Sequence, residues 1–425
     1  MAVTRRQLIA TGALSLIGRA TSAHSLRSVT LHREYSENGH VLISVFLRGG
    51  VDSLNMVIPY ADDAYHRVRP TIGVSGPTKF KNTAECALDL DGYFGLHPAM
   101  SPLLPLWQQK QFAAVHACGS GDTTHSHFEA MATMERGLKD ETGTASGWLA
   151  RHLQTSTDGS VSPLRAVALS DTLPESLRGA PQAIALTSVD DLKMGLLPGM
   201  DSQSLRSELG RMYGVSASDR DAASEAGNAA LHVIDKITAA MGPNSHGSAP
   251  SNYPKSDFSA SLHQIALLMK AKVGLEVACV DHGSYDTHVT QGSTGGFLAA
   301  RLTELSQGIA AFVADIGPAQ WTNTTILLQS EFGRRVEENS SAGTDHGHGG
   351  AVLVLSGSGI KGGHVYGRWP GIKPENLQGP GDLASTTDYR TVFAEVLRSQ
   401  MKNKHVSELF PGLQSESIGI AGPIV

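Results

Sequence analysis

Short runs of apolar residues recur along the chain, separated by segments in which apolar and polar positions have helical spacing. The runs predict strands, because a strand buried on both faces reads as a nearly continuous apolar stretch. They cover residues 41–47, 112–117, 164–169, 183–186, 275–280, 324–328 and 351–355. Helical patterns cover residues 126–138, 259–272, 296–316 and 388–401. This alternation predicts an α/β fold with a mostly parallel, doubly wound sheet and helices on both faces.

Two segments do not follow this alternation. Residues 1–23 carry paired arginines, Arg5 and Arg6, before a short, moderately apolar stretch that ends in small residues near Ala23. This is typical of a twin-arginine export signal and is too short for a membrane span, which needs about 20 apolar residues. Residues 199–256 are rich in Ala, Ser, Gly and Asp, with a helical pattern over 222–241. We expect a signal peptide over 1–23 and a single α/β domain over 24–425 that contains a helical insertion at about 199–256.

Composition narrows the classes of function. The 425 residues include 34 Lys and Arg against 40 Asp and Glu, a formal net charge of −6, so nothing favours nucleic acid or an anionic membrane as a partner. The three cysteines are widely separated and odd in number, which excludes a disulfide framework and a cysteine-rich zinc site. With 18 histidines in the chain, imidazole and carboxylate groups are the candidate metal ligands.

Polar clusters follow several of the predicted strands, which is where the functional groups of open α/β sheets lie. Their acidic and imidazole members are Asp52, Asp286, His288, Glu331, Asp345, His346 and His348. Mixed Asp, Glu and His without thiolates suit a divalent metal such as zinc, manganese or calcium. Asp286 and His288 are two residues apart, so an extended backbone directs both side chains to the same side, and the two late histidines share this spacing. We predict that these residues hold one or two divalent ions.

Structural roles remain open for several of these residues. Asp52 can cap a turn, and Glu331 can form a salt bridge with Arg334 or Arg335. Asp286 and the histidine after it can form a hydrogen-bonded loop pair. The late histidines can belong to a solvated loop.

Candidate catalytic residues lie near the start of the helix predicted over 126–138. Ser126 precedes it, with Glu129 at capping-box spacing, and the unpaired N–H groups and dipole of a helix start stabilise an anion. Ser126 is therefore a candidate nucleophile, with His127 beside it, or else a plain N-cap. Arg48 and Arg334 are candidates for binding a substrate anion through a bidentate fork, unless they pair with carboxylates. No Gly-x-Ser-x-Gly elbow surrounds Ser126, which disfavours an α/β-hydrolase esterase.

Seven segments of the chain resemble those of one bacterial family. They are residues 42–53 (LISVFLRGGVDS), 95–98 (GLHP), 126–131 (SHFEAM), 146–149 (SGWL), 285–288 (YDTH), 330–334 (SEFGR) and 344–349 (TDHGHG). In these segments the chain resembles the DUF1501 family of exported proteins, which is in turn similar to the alkaline phosphatase and sulfatase superfamily. The resemblance implies an alkaline-phosphatase-like α/β domain, one or two divalent metals, and a Thr, Ser or formylglycine nucleophile.

The resemblance also implies site residues. The superfamily's ligands and nucleophile fall on Asp52, Asp286, His288, His346 or His348, and Ser126. Its Asp-x-x-x-His pair is shorter by two residues here, and its strand-end Asp-His-Gly is replaced by Glu331-Phe332-Gly333, which lacks the histidine. Because His346 and His348 precede a predicted strand, they reach the other candidates only if that strand runs antiparallel or its loop folds back across the sheet.

These features predict an exported, metal-dependent hydrolase that cleaves phosphate or sulfate esters by in-line displacement. We expect a small-molecule or glycan ester as substrate, the twin-arginine machinery as export partner, a periplasmic or secreted location, and no membrane span in the mature protein. An alternative is a non-catalytic binding or assembly protein on the same scaffold, which the missing histidine supports. A third candidate is an oxidoreductase, because residues 357–362 (GSGIKG) have Gly-x-Gly-x-x-Gly spacing, although HVYGRWP follows where that fingerprint requires a helix.

Overall fold

A computed structural model of the chain describes residues 39–78, 83–140, 143–156, 162–181, 183–192, 207, 222–241, 252–414 and 417–422. The expected signal peptide and much of the expected insertion lie outside these residues. Within the insertion, the helix predicted over 222–241 is confirmed.

Strands and helices alternate through most of the described chain. The strands are β1 (Val41–Leu47), β2 (Val57–Ile58), β3 (Leu88–Asp89), β4 (Gly95–Leu96), β5 (Phe112–Gly119), β6 (Ala166–Leu169), β7 (Ala183–Leu186), β8 (Val277–His282), β9 (Thr324–Gln329), β10 (Gly350–Ser356), β11 (Val365–Tyr366), β12 (Leu377–Gln378), β13 (Asp382–Leu383) and β14 (Thr387–Asp388). The α-helices are α1 (Ser53–Met56), α2 (Asp63–Val68), α3 (Leu104–Gln108), α4 (His127–Arg136), α5 (Trp148–Thr155), α6 (Ala222–Met241), α7 (Asp257–Lys270), α8 (Phe297–Trp321), α9 (Tyr389–Ser399) and α10 (Val406–Leu409). Short 3-10 helices cover Thr83–Glu85, Pro98–Leu103, Glu175–Leu177, Val189–Leu192 and Pro374–Asn376.

The central sheet contains nine of the described strands, in the order β11-β5-β10-β9-β1-β8-β6-β7, with β14 paired to β5. β1 pairs in parallel with β8 and β9, and β6 pairs in parallel with β8 and β7. β10 is antiparallel to both of its neighbours, β5 and β9. The prediction of a mostly parallel sheet is confirmed. The first residues of β10 lie at the edge where the parallel strands end.

Helices cover both faces of this sheet. Alternate residues of β1 face opposite sides, so Val41, Ile43 and Val45 pack in one core while Leu42 and Phe46 pack in another. The first core includes side chains from α7 and α8, and the second includes side chains from α5 and α9. The continuous apolar run of β1 is explained by this burial on both faces.

The predicted helices form, with ends that differ by a few residues. α4 begins at His127, one residue after the predicted start, and α8 continues to Trp321 through a non-helical Gly317. The glycine-rich loop at residues 357–362 is followed by strand β11, so the helix that a dinucleotide fingerprint requires is not there. Among the described residues, no helix has both the length and the apolar character needed to cross a bilayer. All three cysteines are buried.

β5 bulges just before it reaches the polar edge of the sheet. Cys118 pairs with Gly350 and His116 pairs with Ala351, so Ala117 is an extra residue on β5, with a φ of 51°. A bulge of this kind bends a strand and redirects the residues that follow it. The loop that follows leads into α4 and its first residue, His127.

The buried imidazole of His116 makes the fold sensitive to acid. Its Nε2 donates to the Val57 carbonyl at 2.9 Å, and its Nδ1 accepts from the Ala117 N–H at 2.9 Å. Burial lowers the pKa of His116 to about 4. In the unfolded chain the pKa is near ~6.5, so the unfolded state takes up the proton first as the pH falls. Stability is therefore lost as the pH falls from about 6.5 to 4.

We predict that His116→Gln reduces the loss of unfolding free energy between pH 7 and pH 5 by about 2 kcal/mol. Gln keeps a donor for the Val57 carbonyl but takes up no proton. Urea denaturation at each pH measures the effect, with the exposed His66→Gln as the matched control. An unchanged pH dependence in His116→Gln would contradict the prediction.

Candidate metal centre

The polar edge of the central sheet brings several predicted site residues together. Loops after β1, β5, β8 and β9 meet there with the loop before β10. Arg334 and His346 form an isolated antiparallel bridge, which joins the loop after β9 to the loop before β10. The sequence requires an antiparallel strand or a folded-back loop for His346 and His348 to reach the other candidates. β10 runs antiparallel to its neighbours, so this requirement is met.

Three histidines converge on the carboxylate of Asp286. His127 Nε2 lies 3.5 Å from Asp286 Oδ2, while the Nε2 atoms of His288 and His346 lie 3.0 and 3.2 Å from Oδ1. The Nε2 atoms of His288 and His346 are 3.0 Å apart. One ligand atom each from His127, Asp286 and His346 all lie within 4.8 Å of one another. His127, Asp286, His288 and His346 are called the histidine cluster below.

The donor atoms of the histidine cluster fit a zinc-like ion. Imidazole nitrogens with a carboxylate are a common zinc ligand set. Tetrahedral ligands at the usual zinc distance of about 2.0–2.1 Å are separated from one another by about 3.3–3.4 Å. The contacts of the three histidines with Asp286, and of His288 with His346, range from 3.0 to 3.5 Å and are close to that value. His127, Asp286 and His346 therefore offer a donor set that is compatible with a divalent ion, and His288 lies beside two of them.

Glu331 orients the His127 ring through a hydrogen bond at Nδ1. His127 Nδ1 donates to Glu331 Oε1 at 2.8 Å, while His127 Nε2 is buried and has no hydrogen-bond partner among the described residues. The backbone N–H of Gly49 and the hydroxyl of Ser330 also donate to Glu331, at 2.8 and 3.0 Å. Burial opposes ionisation of Glu331, but the hydrogen bond with His127 and those from backbone N–H groups, including that of Gly49, lower its pKa. The hydrogen bond to Glu331 likewise raises the pKa of His127.

The other two histidines are oriented in the same way. His346 Nδ1 lies 2.8 Å from the carbonyl oxygen of His125, which can only accept, so Nδ1 carries the proton and Nε2 carries the lone pair. Burial, followed by the nearby positive charges, lowers the pKa of His346, which favours this neutral form. His288 Nδ1 lies 3.2 Å from Asp345 Oδ1, which also accepts from the amide of Asn339 at 3.0 Å. Metal-binding histidines commonly have such partners on their second nitrogen.

Arg334 fixes the carboxylate of Asp286. Its Nη2 donates to Asp286 Oδ1 at 2.6 Å, and the guanidinium also donates to the backbone carbonyls of Gly50 at 2.6 Å, Thr344 at 2.9 Å, Tyr285 at 3.2 Å and Gly49. Burial works to raise the pKa of Asp286, but the hydrogen bond and charge of Arg334 outweigh it and lower the pKa to about 2. The Arg334 side chain is fully buried, so it holds the loops and the carboxylate rather than presenting a fork to a ligand.

Arg48, the other predicted anion-binding arginine, is also occupied. Its Nη2 lies 2.8 Å from Glu135 and 3.1 Å from Asp281, and its Nη1 contacts the sulfur of Met131. The guanidinium carbon lies 4.1 Å from the centre of the Phe46 ring. Arg48 therefore pairs with carboxylates, which is the alternative role considered for it.

Asp52 lies in a separate buried network. Its Oδ2 accepts from Arg69 Nη1 and from Gln291 Nε2, each at 2.6 Å, and the ion pair is fully buried. Gln291 Oε1 in turn accepts from the hydroxyls of Thr287 and Thr344 at 2.6 and 3.0 Å. Asp52 thus connects the loop after β1 to the loops that carry Asp286 and His346. None of its described contacts involves the histidine cluster, so this placement does not support the metal role that the sequence suggested.

The remaining predicted residues surround the histidine cluster. Glu331 and Asp345 contact the Nδ1 atoms of His127 and His288. His348 is buried, which lowers its pKa. Its backbone carbonyl accepts the Gly333 N–H at 3.0 Å. Ser126 is the N-cap residue of α4, but its side chain makes no capping hydrogen bond, so the expected capping box with Glu129 does not form.

Sequence reasoning gave His127 a catalytic role and did not place it among the ligands. The available signal was a repeated pattern, because His125-Ser126-His127 and His346-Gly347-His348 both present two histidines at the spacing of Asp286 and His288. Each of these segments contributes to the histidine cluster.

Residues 40–406 match the family model DUF1501, described as a protein of unknown function. Comparison with curated proteins gives no match. The family match covers most of the sequence and includes every residue of the histidine cluster and its supporting partners. The chain therefore belongs to the DUF1501 family.

Proposed function

We propose that the chain is an exported, metal-dependent hydrolase of phosphate or sulfate esters, with the histidine cluster as its metal site. The observation that carries this proposal is the convergence of three histidine Nε2 atoms on Asp286. The Nδ1 atom of each of these rings contacts an oxygen of Glu331, Asp345 or the His125 backbone. A divalent ion bound there would act as a Lewis acid on an ester oxygen and offset the charge that develops during displacement. We also propose that the chain is related to the alkaline phosphatase and sulfatase superfamily.

The arrangement supports a revised ligand set. His127, Asp286 and His346 are the proposed ligands of one ion, and His288, which lies 3.0 Å from both Asp286 Oδ1 and His346 Nε2, is the fourth candidate. Glu331 and Asp345 orient the rings of His127 and His288. The Nε2 atoms of His288 and His346 lie 3.0 Å apart, a contact that either a proton on one ring or a metal ion between the rings accommodates. A bound cation is the arrangement that the proposal requires.

Ser126 is the proposed nucleophile. It lies at the start of α4, next to His127, and its hydroxyl is not used to cap the helix. The free N–H groups of the first turn favour negative charge at this position. Ser126 Oγ forms a bond to the phosphorus or sulfur atom and loses its proton to solvent, while the bond to the ester oxygen breaks on the opposite side and the leaving alkoxide takes a proton from solvent. Water then hydrolyses the phosphoserine or sulfoserine and releases phosphate or sulfate.

A non-catalytic binding or assembly protein on the same scaffold is the second candidate. It is favoured by the engagement of Arg48 and Arg334 with groups of the chain itself. A screen of the metal-loaded protein with p-nitrophenyl phosphate and p-nitrophenyl sulfate separates the two, because a binding protein retains metal without turnover. The twin-arginine signal and the periplasmic or secreted location belong to the proposal.

We predict that the purified chain retains about one zinc, manganese or calcium ion and that Asp286→Ala loses it. The substitution removes the carboxylate on which the three histidines converge. Plasma mass spectrometry after dialysis measures the metal, with the exposed His364→Ala as a control outside the cluster. An equal metal content in wild type and Asp286→Ala, including none in either, would overturn the metal site.

We predict that Glu331→Gln weakens metal binding by roughly 10–100-fold but still allows one ion to bind at saturating metal. The reason is that Glu331 contacts the ring of His127 rather than the proposed ion. Titration with zinc in a competing chelator measures the affinity, with the exposed Glu408→Gln as the matched control. Complete loss of binding would make Glu331 a direct ligand instead.

We predict that Ser126→Ala lowers kcat for the better p-nitrophenyl ester by roughly 10³-fold or more without changing the metal content. Loss of a nucleophile removes the chemical step while the histidine cluster remains complete. Steady-state kinetics and metal analysis of the same preparation test this. Retained turnover would show that a different nucleophile, such as water, attacks the ester.

A further inference from the structure

The guanidinium of Arg335 has unused hydrogen-bond donors at the edge of the candidate site. Among the contacts of the described residues, none of its side-chain nitrogens makes a hydrogen bond, and Nε is buried without a partner. The nearest acidic oxygens are too distant for hydrogen bonds, since Asp345 Oδ2 lies 3.9 Å from Nη1 and Asp382 Oδ1 lies 4.0 Å from Nε. The side chain is 37% exposed, so one end of the guanidinium is desolvated while the rest is open to a ligand.

The backbone of Arg335 is held firmly although its side chain is not. Its N–H donates to the Asp345 carbonyl at 3.0 Å, and its own carbonyl accepts from Arg69 Nη2 at 2.9 Å. Arg335 also forms an isolated antiparallel bridge with Asp382. Because the backbone of Arg335 is fixed, less conformational freedom is lost when its side chain binds a ligand.

The two carboxylates that border Arg335 each hold a histidine of this region. Asp345 Oδ1 contacts His288 Nδ1 at 3.2 Å, and Asp382 Oδ2 contacts His125 Nε2 at 2.7 Å. His288 belongs to the histidine cluster, and His125 directly precedes Ser126. Arg335 thus lies at the rim of the cluster, one side chain away from it. Asp345 Oδ1 and Asp382 Oδ2 are engaged by these histidines, whereas Asp382 Oδ1, which faces Arg335 Nε, is buried without a hydrogen-bond partner among the described residues.

We propose that Arg335 binds the anionic phosphate or sulfate group of the substrate at the rim of the histidine cluster. This inference rests on the proposed function and names the residue that recognises the anion. The planar guanidinium matches two oxygens of such a group, and one of them would supply the acceptor that buried Nε lacks. Arg48 and Arg334 cannot take this role without giving up the bonds described above.

Binding of inorganic phosphate and of sulfate to the zinc-loaded full chain, measured by calorimetry, tests the proposal. We expect Arg335→Gln to weaken binding of the better anion by about 10–100-fold while the zinc content is unchanged. Arg335→Lys keeps the charge but loses the fork, so an intermediate affinity is expected. The exposed Arg67→Gln, which has the same change in charge, is the matched control and should bind like wild type.

Three results would overturn the proposal: unchanged affinity in Arg335→Gln, loss of zinc from that variant, or no binding of either anion by zinc-loaded wild type. Loss of zinc would assign Arg335 to the support of the cluster instead. Anion binding that depends on Arg335 in a protein that hydrolyses neither p-nitrophenyl ester supports the anion site and removes the hydrolase proposal alone.

Discussion

The buried guanidinium of Arg334 connects the loops that build the polar edge of the sheet. It donates to the carbonyls of Gly50 and Thr344 at 2.6 and 2.9 Å, to the carbonyl of Tyr285 at 3.2 Å, and to the carboxylate of Asp286 at 2.6 Å. A buried charge is costly unless it is well hydrogen-bonded, and these acceptors come from the loops after β1 and β8 and before β10. Arg334 is therefore satisfied only when all of these loops are in place, which is also the condition for the histidine cluster to form.

The same hydrogen bonds set the charge of the cluster. Arg334 keeps Asp286 ionised, and the carbonyl of His125 forces the proton of neutral His346 onto Nδ1. The pKa values of His127 and His346 are shifted in opposite directions. Glu331 raises the pKa of His127, whereas burial lowers the pKa of His346. These contacts on Nδ1 direct the Nε2 atoms of the rings toward the carboxylate of Asp286.

Much of this fold could be predicted from the sequence, because apolar runs and helical spacing report burial directly. The direction of β10 could not, since its apolar run reads the same in a parallel or an antiparallel strand. The sequence could only state the consequence, namely that His346 reaches the other residues if β10 is antiparallel. The close spacing of Asp286 and His288 was informative because both side chains come from one loop, whereas the pairing of Asp52 with Arg69 depends on tertiary packing across a turn and left no local pattern.

The adjacent arginines Arg334 and Arg335 show the limit of residue type as a guide to role. Both form antiparallel bridges, Arg334 with His346 and Arg335 with Asp382, so the backbone there is extended and directs successive side chains to opposite sides. One guanidinium is consequently buried among carbonyls, and the other is left partly exposed with unused donors. The sequence favours Arg334 as a candidate for binding an anion and offers Arg335 only as a salt-bridge partner of Glu331. The bridge geometry places the first among backbone carbonyls, where it holds the loops together, and leaves the second with the free donors on which the proposed anion site rests.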